Sequence, residues 1–260
     1  MRYLLTVFSM CLVASAWAPW QPNASALAAA EASPPSEPPG PGVAFNGGTS
    51  YAEVADASPF DLDAFTLSAW IQPASLRNSQ VVLNRGDAGT LFTLYLHEGK
   101  VRMLVEYGRG RYTHANCPQP PAGVWTHLAG SYDGRQIKVY VNGQLQQTVE
   151  APGRIAESDA PLYLGALMPD ARPFHGRIED VCIWSRALGD GEIAVVAAGA
   201  EDADLSRDLV ARWTSENLDD AKWPSQGGSS LVARYDADGA LSVRKADGYR
   251  GVWYQCGAQP

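Results

Sequence analysis

Polar and aromatic side chains alternate with apolar ones along residues 90–116, the spacing that a sugar-binding sheet face needs. Phe92, Leu94 and Leu96 occupy every second position, so the residues between them point to the opposite face of an extended strand. An aromatic ring can cover the apolar face of a sugar, and charged groups can orient its hydroxyls. The residues that we expect to form a carbohydrate site on this polar face are Tyr95, Arg102, Glu106, Tyr112 and His114.

The same alternation also fits an ordinary solvated sheet face whose charges pair with each other. The sequence does not separate these two interpretations. A register shift of one residue would scatter the side chains over both faces. If the sheet face is not the site, the loops at residues 84–89 and 170–175 are the next candidates.

Glycoside cleavage would require two carboxylates facing one scissile bond, about 5 Å apart in a retaining enzyme. No E-x-D-x-E or E-x-D-x-x-E pattern occurs in the sequence. Asp61 and Asp63 alternate, but they precede a strand in a turn-like stretch and are interpreted as solvated turn carboxylates. We therefore predict that the chain has no catalytic residues and is not an enzyme.

The histidines do not indicate a zinc site, because none of them has the H-x-H or H-x-x-x-H spacing of paired ligands. His127, in a Trp-Thr-His stretch, is interpreted as a structural strand residue. Residues 236–239 carry a fragment of a calcium-loop pattern without its remaining ligands, and we interpret them as a turn.

Three cysteines follow the N-terminal leader region: Cys117, Cys182 and Cys256. Three thiols allow at most one internal disulfide, and their spacing does not choose the pair. A Cys117–Cys182 bridge is one expectation for an exported protein. The alternative is that Cys117 and Cys182 are reduced and partly buried.

Two hairpin turns organise the middle of the chain. Asp133-Gly134 and Asn142-Gly143 each lie between extended runs, and these dipeptides tolerate the positive φ of tight turns. Glu98-Gly99 predicts a third hairpin. Short strands and turn signals recur along the chain, and a short helix is expected only near residues 189–198. The pattern predicts an all-β fold of two packed antiparallel sheets.

The composition and the N-terminus indicate an exported protein. The net charge of -8 disfavours nucleic acid and anionic membrane surfaces as partners. Residues 1–30 read as a signal peptide with an uncertain cleavage site, because a basic start precedes an apolar run and small residues. That run is too short to span a bilayer, so we expect no membrane span. Residues 31–42 are rich in proline and predict an extended linker.

Six motifs occur in an order that resembles the laminin-G-like jelly roll of the concanavalin A-like lectin/glucanase superfamily. They are Phe-Asn-Gly at 45–47, FTLSAW at 65–70, WTHLAGSYDG at 125–134, VYVNG at 139–143, PLYLG at 161–165 and FHGRIEDVCIWSRAL at 174–188. The resemblance covers residues 43–199. It implies a jelly-roll sandwich that binds sugars or proteins on its concave face or rim.

The resemblance also implies that the domain has a candidate calcium site, since some members hold a structural calcium ion. Asp180 stands where relatives often carry an acidic residue, and the backbone near Asn46 and Gly47 would supply further oxygen ligands. Asn46 replaces an aspartate that is common in relatives. The alternative for Asp180 is a hydrogen-bonded structural carboxylate.

A second, weaker resemblance lies at residues 248–254, which are similar to the opening of exported proteins with sialidase-type BNR repeats. It implies that residues 200–260 form a C-terminal extension, the start of a truncated second domain. The alternative is a coincidental aromatic strand.

These observations predict a secreted or periplasmic, non-catalytic carbohydrate-binding module. The alternative is a protein-interaction or adhesion module of the same fold, whose partner would be an extracellular protein. A fragment of a glycoside hydrolase or of a sialidase-like enzyme ranks third, because the carboxylate pair is missing.

Overall fold

The computed structural model describes residues 37–76, 78–86, 90–107, 110–199, 203–218, 222–225 and 232–236. All of them belong to one compact unit, Ser33–Pro260. The predicted signal peptide and residues 31–36 of the predicted linker lie outside the described residues, as do residues 237–260. No helix in the described ranges is long and apolar enough to cross a membrane.

The strands are β1 (Val43–Asn46), β2 (Tyr51–Val54), β3 (Phe65–Pro73), β4 (Gln80–Gly86), β5 (Thr90–His97), β6 (Lys100–Glu106), β7 (Tyr112–Pro118), β8 (Thr126–Tyr132), β9 (Gln136–Val141), β10 (Gln144–Glu150), β11 (Leu162–Leu164), β12 (His175–Trp184), β13 (Leu209–Trp213), β14 (Lys222–Pro224) and β15 (Val232–Asp236). The helices are α1 (Asp190–Ala197) and α2 (Ala203–Arg207), and short 3-10 turns span Ser58–Phe60 and Ser215–Asn217.

The strands form two antiparallel sheets, which confirms the predicted sandwich. One sheet has seven strands in the order β1-β12-β3-β8-β9-β10, with β13 paired to β12. The other has eight, in the order β14-β15-β2-β11-β4-β5-β6-β7. The short helix predicted near residues 189–198 is α1.

The predicted hairpin turns set the register of the strands that flank them. Glu98 has φ 49° and Gly99 has φ 76°, and Asn142 and Gly143 have the same pair of values. Two successive residues in the left-handed region are what a two-residue hairpin loop requires, since this twist matches that of the strands. The β5–β6 and β9–β10 hairpins therefore have registers that their turn residues specify.

The core lies between the inner faces of the two sheets. Phe65 of β3 contacts Phe92 of β5 with 4.5 Å between ring centroids, and Tyr132 lies 5.9 Å from Phe65. Gly130 permits a close approach between the sheets, because a Cβ there would lie 2.7 Å from the Sδ and Cγ atoms of Met103. A side chain at this position would force Met103 to move.

The sandwich continues beyond residue 199, which corrects the predicted boundary. Strand β13 pairs with β12, with Val181 opposite Trp213, and β15 pairs with β2, with Ala52 opposite Tyr235. Trp213 is buried in the main core. Strands β13, β14 and β15 therefore belong to the two sheets, whereas the domain was predicted to end at residue 199.

The buried Arg85 side chain links several segments at one end of the sandwich. The Arg85 side chain is 0% exposed, and its Nη2 donates to Asp61 Oδ1 at 2.8 Å and to the Ser158 carbonyl at 2.6 Å. Its Nη1 donates to the Ala160 carbonyl. A buried guanidinium needs such partners because an unpaired charge in the interior is costly. Arg85 thus ties residues 158–160 and the segment before β3 to the same strand.

We expect Arg85→Met to lower the free energy of unfolding by about 2–4 kcal/mol, because the ion pair and several hydrogen bonds are lost together. Urea unfolding followed by tryptophan fluorescence measures the change. Arg154→Met is the matched control, since Arg154 pairs with Asp63 on the exposed surface. The control should unfold like the unsubstituted protein, and equal losses in both variants would contradict this role of Arg85.

Candidate functional site

The outer face of the eight-stranded sheet carries all five residues predicted to bind sugar. Tyr95 lies opposite Arg102, His114 opposite Leu104, and Glu106 opposite Tyr112. Residues opposite one another in antiparallel strands project from the same face. Phe92, Leu94, Met103 and Val105 point to the core. The face that carries the predicted sugar-binding residues is therefore directed away from the core.

The five residues form a strip instead of one cluster. The Tyr95–Arg102 row and the Glu106–Tyr112 row are four residues apart along β6, which corresponds to about 13 Å. Tyr112 is 51% exposed, so its ring is open to a ligand. Tyr95 is only 5% exposed, so its ring offers little surface for stacking on a sugar. The remaining residues, Arg102, Glu106, Tyr112 and His114, are called the outer strip below.

Hydrogen bonds within the sheet orient the charged members of the outer strip. Arg102 Nη2 donates to Glu98 Oε2 at 3.1 Å, and Glu106 Oε1 accepts from the Gly110 amide at 2.8 Å. Burial lowers the pKa of His114, and the positive charges of Arg102 and Lys100 lower it further. A neutral His114 can both donate and accept a hydrogen bond, which suits the hydroxyl groups of a sugar.

A cavity of about 510 Å³ adjoins the end of the strip beyond Arg102. It lies at the hairpin end, since the His97–Lys100 pair is two residues past the Tyr95–Arg102 pair. Its lining residues, called the His97 pocket below, are Asn78, Ser79, His97, Glu98, Arg172 and Pro173.

The backbone of the His97 pocket holds unusual conformations. Asn78, Glu98 and Arg172 have φ values of 64°, 49° and 50°, in the left-handed region that non-glycine residues seldom adopt. Glu98 does so within a hairpin turn. The Arg172 carbonyl accepts a hydrogen bond from the Val81 amide at 3.1 Å, which fixes its loop against β4. The pocket is thus formed by three segments held in defined positions.

His97 is the central titratable group of the pocket. Its Nδ1 contacts the Ser79 hydroxyl, and its Nε2 lies 3.5 Å from Glu98 Oε2. Burial lowers the pKa of His97, and the charges of Arg102 and Arg172 act in the same direction against that of Glu98. The imidazole therefore adjoins two guanidinium groups and one carboxylate.

The alternation of polar and apolar residues in the sequence predicted the outer strip. It did not predict the loop residues of the His97 pocket. The alternative loop at residues 170–175 contributes Arg172 and Pro173 to it. The other alternative loop, at residues 84–89, contributes no described residue to the pocket. Asn84 is buried and donates to the Gly86 and Leu167 carbonyls, and residues 87–89 lie outside the described ranges. Asn78 and Ser79 follow no periodic pattern in the sequence that could have indicated them.

The predicted calcium ligands are not brought together. Asn46 lies opposite His175, so Asp180 is five residues further along β12, about 17 Å away. Asp180 Oδ1 accepts from Arg212 Nε at 2.6 Å, and Asn46 Oδ1 accepts from three backbone amides of its own turn. Asp180, Asn46 and Gly47 therefore cannot share one ion. Among the described residues, no three His, Cys, Asp or Glu side chains are grouped as a metal site.

The two described cysteines are separate thiols, so the predicted Cys117–Cys182 disulfide is wrong. Cys117 belongs to β7 of the eight-stranded sheet and faces the core, whereas Cys182 belongs to β12 of the other sheet and packs with Tyr140 and Trp184 on its outer side. Burial raises the pKa of Cys117 to about 11 and raises that of Cys182 as well. Cys256 lies outside the described residues.

The carboxylates weighed as catalytic groups have structural partners. Asp61 binds the buried Arg85, and both oxygens of Asp63 accept from Arg154, at 2.8 and 3.2 Å. The interpretation of Asp63 as an exposed turn carboxylate fits this arrangement. Asp61 is more than a solvated turn residue, since it is the counter-ion of Arg85.

Comparison with known proteins assigns the family. Residues 46–194 match the Laminin_G_3 family of the concanavalin A-like lectin/glucanases superfamily, and the chain belongs to it. Over 166 residues it is 25% identical to rat "Sushi, von Willebrand factor type A, EGF and pentraxin domain-containing protein 1", which covers 58% of this chain and 4% of the relative. Over 232 residues it is 27% identical to mouse pappalysin-1, which covers 79% of this chain and 14% of the relative. The chain thus spans a small part of these curated relatives.

Solved structures share the same fold. The CBM40 of the Ruminococcus gnavus IT-sialidase, bound to alpha2,3 sialyllactose, is 25% identical with a TM-score of 0.50, and the match covers 60% of this chain and 95% of that one. Domain 4 of the arabinanase AbnA from Geobacillus stearothermophilus, in complex with arabinotriose, is 21% identical with a TM-score of 0.53, covering 62% and 79%. The SAP-like pentraxin of Limulus polyphemus is 16% identical with a TM-score of 0.53, covering 74% and 93%.

His127, which lies away from the outer strip and the His97 pocket, is a buried structural residue. It is 1% exposed, and its ring lies edge-on to Trp70 at 5.5 Å between centroids. Neither ring nitrogen has a hydrogen-bond partner. Burial therefore lowers its pKa from 6.5 to about 3, and the imidazole is neutral at pH 7.

We expect His127 to make the protein sensitive to acid. Below pH 6.5 the unfolded chain binds a proton that the folded protein takes up only near pH 3, so the free energy of unfolding should fall over this range by up to about 1.4 kcal/mol per pH unit from this group. Urea unfolding at pH 7 and pH 5 measures the fall. His127→Phe keeps an aromatic ring and should show a smaller fall.

His175→Phe is the control, because His175 is exposed to water in the folded protein. It should retain the full decrease between pH 7 and pH 5. A decrease in His127→Phe equal to that of the unsubstituted protein would contradict the buried, neutral state of His127.

Proposed function

We propose that this chain is a non-catalytic carbohydrate-binding module whose ligand lies along the outer strip. The observation that carries the proposal is the register of β5, β6 and β7, which gives one face an exposed aromatic ring and oriented polar groups within about 13 Å. Sugar sites combine these two kinds of surface, since pyranose rings have apolar faces and polar edges. The sialyllactose-bound CBM40 of similar fold supports a sugar as the ligand.

Each residue of the strip has a distinct task in this proposal. Tyr112 stacks on one sugar ring with its exposed face. His114 and Arg102 hydrogen-bond hydroxyl groups in the middle of the strip, and Glu106 accepts from hydroxyls beside Tyr112. The hydrogen bonds from Arg102 to Glu98 and from Gly110 to Glu106 orient two of these side chains before the ligand arrives.

The spacing of the carboxylates supports binding without turnover. Glu98 and Glu106 are the acidic residues that β5–β7 present on this side, and they lie at opposite ends of β6. Glu98 lies in the turn before β6, and the six residue steps from Lys100 to Glu106 span about 20 Å. The two carboxyl groups of glycoside hydrolases are about 5 to 9.5 Å apart, so this pair does not suit that mechanism.

The proposed setting is outside the cytoplasm, in the periplasm or the extracellular medium. The basic start, apolar run and small residues of the N-terminus support it. Buried, unpaired thiols at Cys117 and Cys182 are compatible with either redox environment. The activities of the much longer relatives are not transferred to this chain.

A glycan microarray followed by calorimetric titration of the best binder tests the proposal. We expect Tyr112→Ala to weaken binding about 3- to 10-fold, which corresponds to a stacking contribution of about 0.5–1.5 kcal/mol. Its stability should change by less than about 0.5 kcal/mol, because the ring is a surface group. Arg102→Met should also weaken binding, and Arg135→Met, an exposed arginine in the turn after β8, should not.

Three outcomes would contradict the proposal. Binding of a protein with no glycan on the array would favour the interaction-module alternative. Release of sugar from the bound glycan would make the chain an enzyme. Unchanged affinity in both Tyr112→Ala and Arg102→Met would place the sugar elsewhere on the molecule.

A further inference from the structure

We infer that the His97 pocket binds the carboxylate of an acidic sugar, at one end of a glycan whose other units lie along the outer strip. This inference rests on the proposed function, because it assigns the chemical class of the same ligand. The pocket begins at the His97–Lys100 pair, two residues past the Tyr95–Arg102 pair, so one continuous ligand can reach both the pocket and the outer strip. The pocket is an open depression with a volume of about 510 Å³.

Positive groups outnumber negative ones around the pocket, in contrast to the net charge of -8 of the whole chain. Arg172 lines the cavity, is exposed and forms no ion pair among the described residues. Arg102 and Lys100 lie on the adjoining rows of β6. Among the lining residues that the structure describes, Glu98 is the one carboxylate. A cleft with this balance of charge attracts anions.

The protein's own Glu98 shows the contacts that a ligand carboxylate would make. Glu98 Oε2 lies 3.1 Å from Arg102 Nη2 and 3.5 Å from His97 Nε2, so it occupies the space between these two groups. Its side chain is 70% exposed, so it can leave this position at little cost. A ligand carboxylate can therefore replace Glu98 beside Arg102, or bind the unpaired Arg172.

The loop conformation favours Arg172 as the residue that selects for an acid. Its left-handed backbone and the hydrogen bond to Val81 hold the Cα of Arg172 at the cavity wall. Its guanidinium has no ion-pair partner among the described residues. A planar guanidinium binds a carboxylate through two parallel hydrogen bonds, which a neutral sugar cannot offer.

Two pairs of probes test the inference in the full chain: α2,3-sialyllactose against lactose, and trigalacturonate against its methyl ester. The pairs distinguish a sialic acid from a uronic acid as the source of the carboxylate. We expect one acidic probe to bind at least about tenfold more tightly than its neutral counterpart, the gain of a charge-assisted contact. That preference should shrink at high salt, because screening weakens an accessible ion pair.

Arg172→Asn tests the selecting residue, since Asn tolerates the left-handed backbone but lacks the charge. The acidic probe should lose about tenfold in affinity, while the neutral probe should be unaffected. Arg172→Lys should retain part of the preference, and Arg135→Met should retain all of it. Glu98→Gln should strengthen binding of the acidic probe a few-fold, because a competing carboxylate is removed.

Equal binding of the acidic and neutral probes would overturn the inference and leave the proposed carbohydrate function in place. Equal losses for both probes in Arg172→Asn, or weaker acid binding in Glu98→Gln, would also overturn it. If no glycan binds at all, both the inference and the proposed function fail. Thermal melting of each variant shows whether the fold is intact, and the Lys variant tests the charge where the Asn variant is unstable.

Discussion

The pairing register of β5, β6 and β7 is the constraint on which the functional surface depends. The left-handed Glu98-Gly99 turn sets the offset between β5 and β6, and every second side chain then enters the core. Phe92 against Phe65 holds that alternation in place, because a shift of one residue would expose the buried ring and bury the charged neighbours. One local turn and one aromatic contact between the sheets thus determine which residues form the outer strip.

The two outer faces of the sandwich differ in how far the described residues cover them. On the seven-stranded sheet, α1 and the segment after it pack over β9 and β12, and Trp184 Nε1 donates to the Leu205 carbonyl at 2.9 Å. Arg177 binds the carbonyls of Pro41 and Gly42 from the segment before β1. The strip on β6 and β7 has no comparable cover among the described residues, so Tyr112 remains exposed. This asymmetry is the reason why the proposed binding surface is placed on the eight-stranded sheet.

The charged residues of the chain are also unevenly distributed. The chain is acidic overall, yet Arg102, Arg172 and Lys100 surround one end of the strip. Two arginines elsewhere form ion pairs within the fold. Arg85 is buried and pairs with Asp61, and Arg212 pairs with Asp180. The Arg212 contact explains why the acidic residue that resembled a calcium ligand needs no metal to satisfy its charge.

The sequence by itself determined the strands, their turns, the faces of β5–β7 and the family, because each of these follows from alternation, from turn residues or from motifs in a fixed order. Glu98-Gly99 and Asn142-Gly143 could be recognised without a structure, since positive φ is a property of two adjacent residues. Only the tertiary structure decided that Tyr95 is covered, that Arg172 lies beside His97, and that residues after 199 complete both sheets. It also decided that Asp180 and Asn46 are far apart, and that the described thiols lie in different sheets. These outcomes depend on contacts between segments distant in the chain, and no local pattern encodes which segments meet.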